Sequence, residues 1–136
     1  MNITKYIMQK RHINPWIWQD ERSLVQAVEV TNASGTLYVS GQAAIDPDGT
    51  SSNADMKAQL AHAIRNLEQV ISESGYDVAN IVRLTIYSTS TEEFMDSFEI
   101  FRNWIAKNGI KTSVSHIEVV KLWETLNVEL EATVVK

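Results

Sequence analysis

The sequence contains no cysteine. That excludes a disulfide framework and thiolate chemistry, and it leaves zinc only histidines and carboxylates as ligands. His12, His62 and His116 are the three histidines, scattered along the chain, so no metal site is expected. Long apolar runs are missing too. No stretch reaches the ~20 residues of a membrane span, and MNITKYIMQKRHINPWIW lacks the apolar core of a secretion signal. A soluble, cytoplasmic protein without a membrane partner is the expectation. Positive charge is scarce, with 12 basic against 17 acidic residues, a net charge of −5 and no basic cluster. A phosphate backbone would be repelled, so no nucleic-acid partner is expected. Low-complexity segments are absent. What remains is a chain of 136 residues, 44% hydrophobic, enough for one core and one domain over residues 1–136, with 1–23 as an N-terminal extension of uncertain structure.

Two β-branched runs, Leu24 to Val30 and Thr36 to Ala44, flank TNASG, whose Asn32 and Gly35 suit a turn, and together they predict a hairpin. DPDGTSSN, Asp46 to Asn53, gathers turn residues but lacks the acidic ladder and closing glutamate of a calcium loop, so a plain turn is expected. Met56, Leu60, Ile64, Leu67 and Ile71 recur at three and four, with Asp55 in front and Gly75 behind. They predict an amphipathic helix within Asn53 to Ser74. Ile81 to Ser88 reads as a strand. Ser90 and Glu93 form a capping box for a second helix with Phe94, Phe98, Phe101 and Ile105 as its core stripe, stopped at Gly109. SVSHIEVV and LNVELEATVV supply two more strands. The order ββαβαββ predicts an α+β fold with both helices on one sheet face.

Ser113 to Val120 carries two alternating sets, one with Ser115, Ile117 and Val119 and the other with Val114, His116 and Glu118. Ile117 and Val119 are assigned to the helix side, alongside Val82, Leu84, Ile86, Val128, Leu130, Ala132 and Val134. Val114, His116, Glu118 and Val120 then fall on the second face with Arg83, Thr85, Tyr87, Glu129, Glu131 and Thr133. That mixture is too apolar for open water and too polar for a monomer's core, so another copy of the sheet is expected to cover it.

Several linked signatures carry a family resemblance, from about Leu24 to Val135. They are LVQAVEV, LYVSGQAAIDPDG, the helix-to-strand run QLAHAIRNLEQVISESGYDVANIVRLTIY, and LNVELEATVV. In this order they resemble the Rid family of reactive intermediate deaminases, also called the YjgF family and once labelled endoribonuclease L-PSP. The resemblance implies a chorismate-mutase-like homotrimer with a central barrel and small-molecule pockets between subunits. It implies hydrolysis of 2-imino acids to 2-keto acids and ammonia without cofactor, a cation holding the carboxylate and a glutamate orienting water. Ser40, Gly41 and Glu129 match the pocket rim and that glutamate, and His116 falls where the family points a side chain at the pocket. Three positions depart from the pattern: Val114 stands at the arginine, Leu24 at a tyrosine and Phe98 at an asparagine.

Each site residue has a plainer reading. His116 suits an interface hydrogen bond, Glu129 an ordinary strand face, Ser40 and Gly41 a strand irregularity, and Trp104 packing. Lys111, Lys121, Arg83 and Arg102 are the candidate substitute cations. The expectation is a small-molecule-binding homotrimer of the subgroup lacking the arginine, weak or inactive toward 2-imino acids. The alternative is a working imine deaminase that draws its cation from elsewhere, and a ribonuclease stands last.

Overall fold

A computed structural model of the chain describes residues 7–136. The strands are β1 (Gln9–Ile13), β2 (Ala27–Thr31), β3 (Thr36–Ala43), β4 (Ile81–Ser88), β5 (Ser113–Glu118) and β6 (Val128–Val135). The helices are α1 (Met56–Glu73), α2 (Thr91–Asp96) and α3 (Phe98–Lys107), and short 3-10 turns cover Asp20–Arg22 and Val78–Asn80. The class is α+β, as the element pattern predicts.

The three-and-four apolar repeat folds as α1, with Met56, Leu60, Ile64, Leu67 and Ile71 all buried. Asp55 caps it by accepting from the Ala58 N–H at 2.9 Å, and the chain leaves through Gly75 in the left-handed region. α1 packs on β3 and β6. Gln59, on the same buried side, is fully enclosed. Its amide donates to the carbonyls of Ala54 (3.0 Å) and Thr125 (3.1 Å), and its oxygen accepts from the Asn127 N–H at 2.8 Å, tying the helix to the loop that starts β6.

The main sheet runs β3-β6-β4-β5, with β4 and β5 parallel and the other pairs antiparallel. The expected hairpin does not form. β2 takes β1 as its antiparallel partner, so part of the N-terminal extension is a strand, and β3 pairs with β6. The turn between β2 and β3 is held instead by the end of the chain: Ser34 and Gly35 donate N–H groups to the Lys136 carbonyl, and the Lys136 N–H returns a bond to Gly35.

The predicted second helix breaks at Ser97. Its N–H is shared between the Glu93 and Phe94 carbonyls and its hydroxyl donates back to Glu93 at 3.1 Å, a local bond that bends helices. α2 keeps its cap, Ser90 accepting from the Glu93 N–H at 3.1 Å. The aromatic stripe survives the bend, with Phe94, Phe101 and Ile105 buried and Phe98 partly so.

β5 presents the opposite face from the one expected. Val114 lies beside Leu84 and His116 beside Ile86, both core residues, so Val114 and His116 face α2 and α3. Ser115 and Ile117 pair with Thr85 and Tyr87 on the outer face, where Ile117 is 44% exposed. Glu129 and Glu131, beside Tyr87 and Thr85, do lie on that outer face. Neither set on this strand is consistently apolar, and packing against Phe94 decides the matter.

Candidate functional site

Beside β5, the helix-facing side of the sheet opens into a cavity of about 140 Å³. Leu24, Ile86, Phe94, Phe98, Phe101 and Val114 form its apolar walls. Gln19, Arg22 and His116 bring its polar groups, with Met95 at the side. Residues 22–26 reach it by running along the free edge of β5, where Val25 makes a parallel bridge with Ser113. The sequence singled out Leu24, Phe98, Val114 and His116 separately; the fold brings all four together.

His116 is held on two sides. Its ring stacks on Phe94 with centroids 4.8 Å apart and planes 10° apart, and Nε2 lies 2.7 Å from the hydroxyl of buried Ser88. Burial pushes its pKa below the ordinary imidazole range, opposed by the nearby Glu118 carboxylate. Glu118 itself accepts from the Thr91 N–H at 2.7 Å, which holds its carboxyl below the usual range. A histidine with a depressed folded pKa takes up its proton less readily in the fold than when unfolded. Its contribution is therefore present above the unfolded pKa near ~6.5 and is lost as pH falls from there toward the folded value. His12 shifts the same way, so a variant is needed to isolate His116. Urea melts between about pH 7 and 5 should show the wild type losing stability and His116→Gln losing less of it. Equal slopes would assign the loss elsewhere.

Ser40, Gly41 and Glu129 lie apart from this cavity. The β3–β6 register slips between Val39 and Gln42, so Ser40 and Gly41 do form the strand irregularity. It has a use: a β-carbon at Gly41 would run into the Glu129 carboxylate, which lies across the glycine. Within one chain, Glu129 occupies the outer face and His116 the helix-facing one, so the two cannot share a ligand there.

None of the four expected substitute cations lines the cavity. Arg83 donates to the Ser115 hydroxyl at 3.1 Å on the outer face, Arg102 pairs with Glu99 at 3.0 Å, and Lys111 and Lys121 are exposed. Arg22 is the cation that does line it, and it is not among the cations the sequence points to. Its guanidinium carbon sits 5.6 Å from the centre of the Phe98 ring. The available signal was position: Arg22 is two residues before Leu24, already a pocket candidate. Trp104 is buried against Phe101 as packing, whereas Trp16, Trp18 and Trp123 are exposed. Among the described residues no three His, Asp or Glu side chains are placed to hold a metal ion, and no helix is long and apolar enough to cross a membrane.

Comparison with known proteins gives these parts a common origin. A RutC family protein of Aquifex aeolicus is 32% identical over 111 residues, covering 82% of this chain and 86% of the relative. The putative reactive intermediate deaminase TdcF of Escherichia coli is 21% identical over 110 residues, covering 80% of this chain and 85% of its own. Among solved structures, YyfB of Yersinia pestis, described as a Rid-family protein of unknown function, superposes with a TM-score of 0.83 at 26% identity. That match covers 93% of this chain and 98% of YyfB. E. coli TdcF, crystallised with bound serine, superposes at 0.69 over 82% of this chain and 87% of its own, with 23% identity, a likeness of fold. The endoribonuclease L-PSP family model matches residues 19–136, which takes in both the cavity and the Gly41–Glu129 contact, and the chain belongs to that family.

Proposed function

We propose that this protein is a small-molecule-binding Rid-type homotrimer whose ligand sits between subunits, and that it hydrolyses 2-imino acids weakly or not at all. One observation carries the reading. Val114, Leu24 and Phe98, which stand where the resemblance places an arginine, a tyrosine and an asparagine, line a single cavity, and all three are apolar. A carboxylated imine entering there finds no guanidinium on β5 to take its carboxylate. Arg22 borders the cavity from a different element, so a carboxylate held there is not placed as one held on β5 would be, and the loss falls on orientation, where a displacement of about 1 Å can cost about a hundredfold in rate. Oligomerisation is part of the proposal because Glu129 and the cavity occupy opposite faces of one sheet. Two copies must meet for a carboxylate on one to reach a ligand held by the other. The outer face suits such a contact: Tyr38 and Ile117 are exposed there among polar neighbours. RNA cleavage is disfavoured by the net charge of −5.

The test is an assay with freshly generated 2-aminoacrylate, paired with light scattering. Hydrolysis no faster than in water, by a particle larger than one 15.4 kDa chain, is the expected result. Robust turnover that disappears in Glu129→Gln would replace this reading with an active deaminase, and a stable monomer would remove the intersubunit site.

A further inference from the structure

The cavity has an unusual charge arrangement for a space walled by three phenylalanines. Arg22 lines it, yet among the described residues no carboxylate lies within ion-pairing distance of its guanidinium. Its one hydrogen bond is a long one, Nη1 donating to the Gln19 side-chain oxygen at 3.4 Å. An arginine carries five N–H donors, so most of this fork is uncommitted. The Phe98 ring holds it from one side without satisfying those donors. A half-buried guanidinium of this kind favours an anion, and its planar fork favours an oxyanion that can accept two parallel bonds. The remaining walls set the other end of the ligand. Leu24, Phe94 and Val114 offer only apolar contact, and about 140 Å³ is on the order of the space that holds one benzene-sized molecule.

We propose that Arg22 is the anion-anchoring residue of this cavity, and that the cavity takes a small monocarboxylate with a compact apolar body, the carboxylate on Arg22 and the body against Phe94 and Val114. The inference rests on the reading of the cavity as the ligand site, but not on whether imines are hydrolysed. It places the ligand's charge at the N-terminal segment, on the edge of β5, whereas the strand position that could carry a cation holds Val114. A ligand bound this way is oriented by residues outside the sheet, and its selection depends on how residues 19–24 lie against Phe98.

Calorimetric titration of 3-methylbutanoate and its neutral analogue 3-methylbutanol into the intact protein tests this. The acid should bind the wild type about ten- to a hundredfold more tightly than it binds Arg22→Gln, with Arg22→Lys between them because charge is kept and the fork is lost. The alcohol should bind both weakly and alike. Thermal melts of the variants run alongside should lie close to the wild type, since among the described residues Arg22 makes no ion pair and its long bond to Gln19 and its contact with Phe98 are weak. Equal affinity of acid for wild type and Arg22→Gln, alcohol binding as tight as acid, or no acid binding by the wild type would each overturn the proposal. Fast imine hydrolysis that survives Arg22→Gln would instead count against the weak-deaminase reading, so the two failures are distinguishable.

Discussion

Val114→Arg should raise affinity for pyruvate or 2-ketobutyrate by about ten- to a hundredfold, turning a cavity with one peripheral cation into one with a cation at its wall. Val114 is beside Leu84 on the helix-facing side, partly buried against the core and open to the cavity on its other flank. A guanidinium extending from it would pass His116 and reach the same space that Arg22 borders. Two costs oppose the change. The longer side chain overfills a packed wall, at about 1 to 3 kcal/mol. The new charge also faces Arg22 with no acid at hand, because Glu129 lies on the other face and Glu118 is bonded to the Thr91 N–H. The unliganded variant should therefore melt lower than the wild type and recover when a 2-keto acid is added, since a ligand carboxylate neutralises the pair. Calorimetry with the acid, and melts with and without it, check both halves. A folded variant that binds no better than the wild type would show that Val114 does not border usable space, and the correspondence between this cavity and a Rid pocket would fall with it.

Gln59→Met should be the most damaging single change that leaves every apolar contact roughly filled. The replacement keeps the length of the side chain but withdraws two donors and an acceptor from a site with no solvent access. It leaves the Ala54 and Thr125 carbonyls and the Asn127 N–H without their partner, and a buried unsatisfied group costs about 1 to 3 kcal/mol. Partial relaxation of the two loops recovers some of this, giving an expected loss of roughly 3 to 5 kcal/mol, a large share of the 5 to 15 typical of a domain. The urea midpoint should fall accordingly with an unchanged slope. A loss below about 1 kcal/mol would mean that the loops admit water and that Gln59 is not what positions the start of β6.

The parts of the fold that were legible beforehand are those governed by local pattern. The stripe of α1 is buried residue for residue, and β4 begins and ends where its β-branched run does. Pairing is a different kind of information. The run from Leu24 and the run from Thr36 look like hairpin partners until residues about a hundred positions later compete for the same edge, and β6 wins β3. The face of β5 is not legible in the sequence because its two parities have nearly equal hydrophobic character, so a period of two cannot choose between them. What settles it is the stack of His116 on Phe94, a contact between a strand and a helix. In the site, Leu24, Phe98, Val114 and His116 could be named from a resemblance, but Arg22 could not. It sits in a segment without periodicity, and only the path of that segment along β5 brings it to the cavity.

The sheet order also sets a constraint in time. β6 is the last strand of this sheet along the chain, yet it lies between β3 and β4 and is the shared neighbour of both. During synthesis, β3, α1 and β4 leave the ribosome with the central place in their sheet vacant, and a helix covering one face cannot supply the missing ladder. The edges of β3 and β4 that β6 will join therefore stay unpaired until β6 emerges. Closing the β3–β6 ladder then joins residues about a hundred positions apart, a long-range step of the kind that slows folding. A ribosome paused before β6 would hold a chain with its helices and the β4–β5 pair, but with no ladder joining β3 to them.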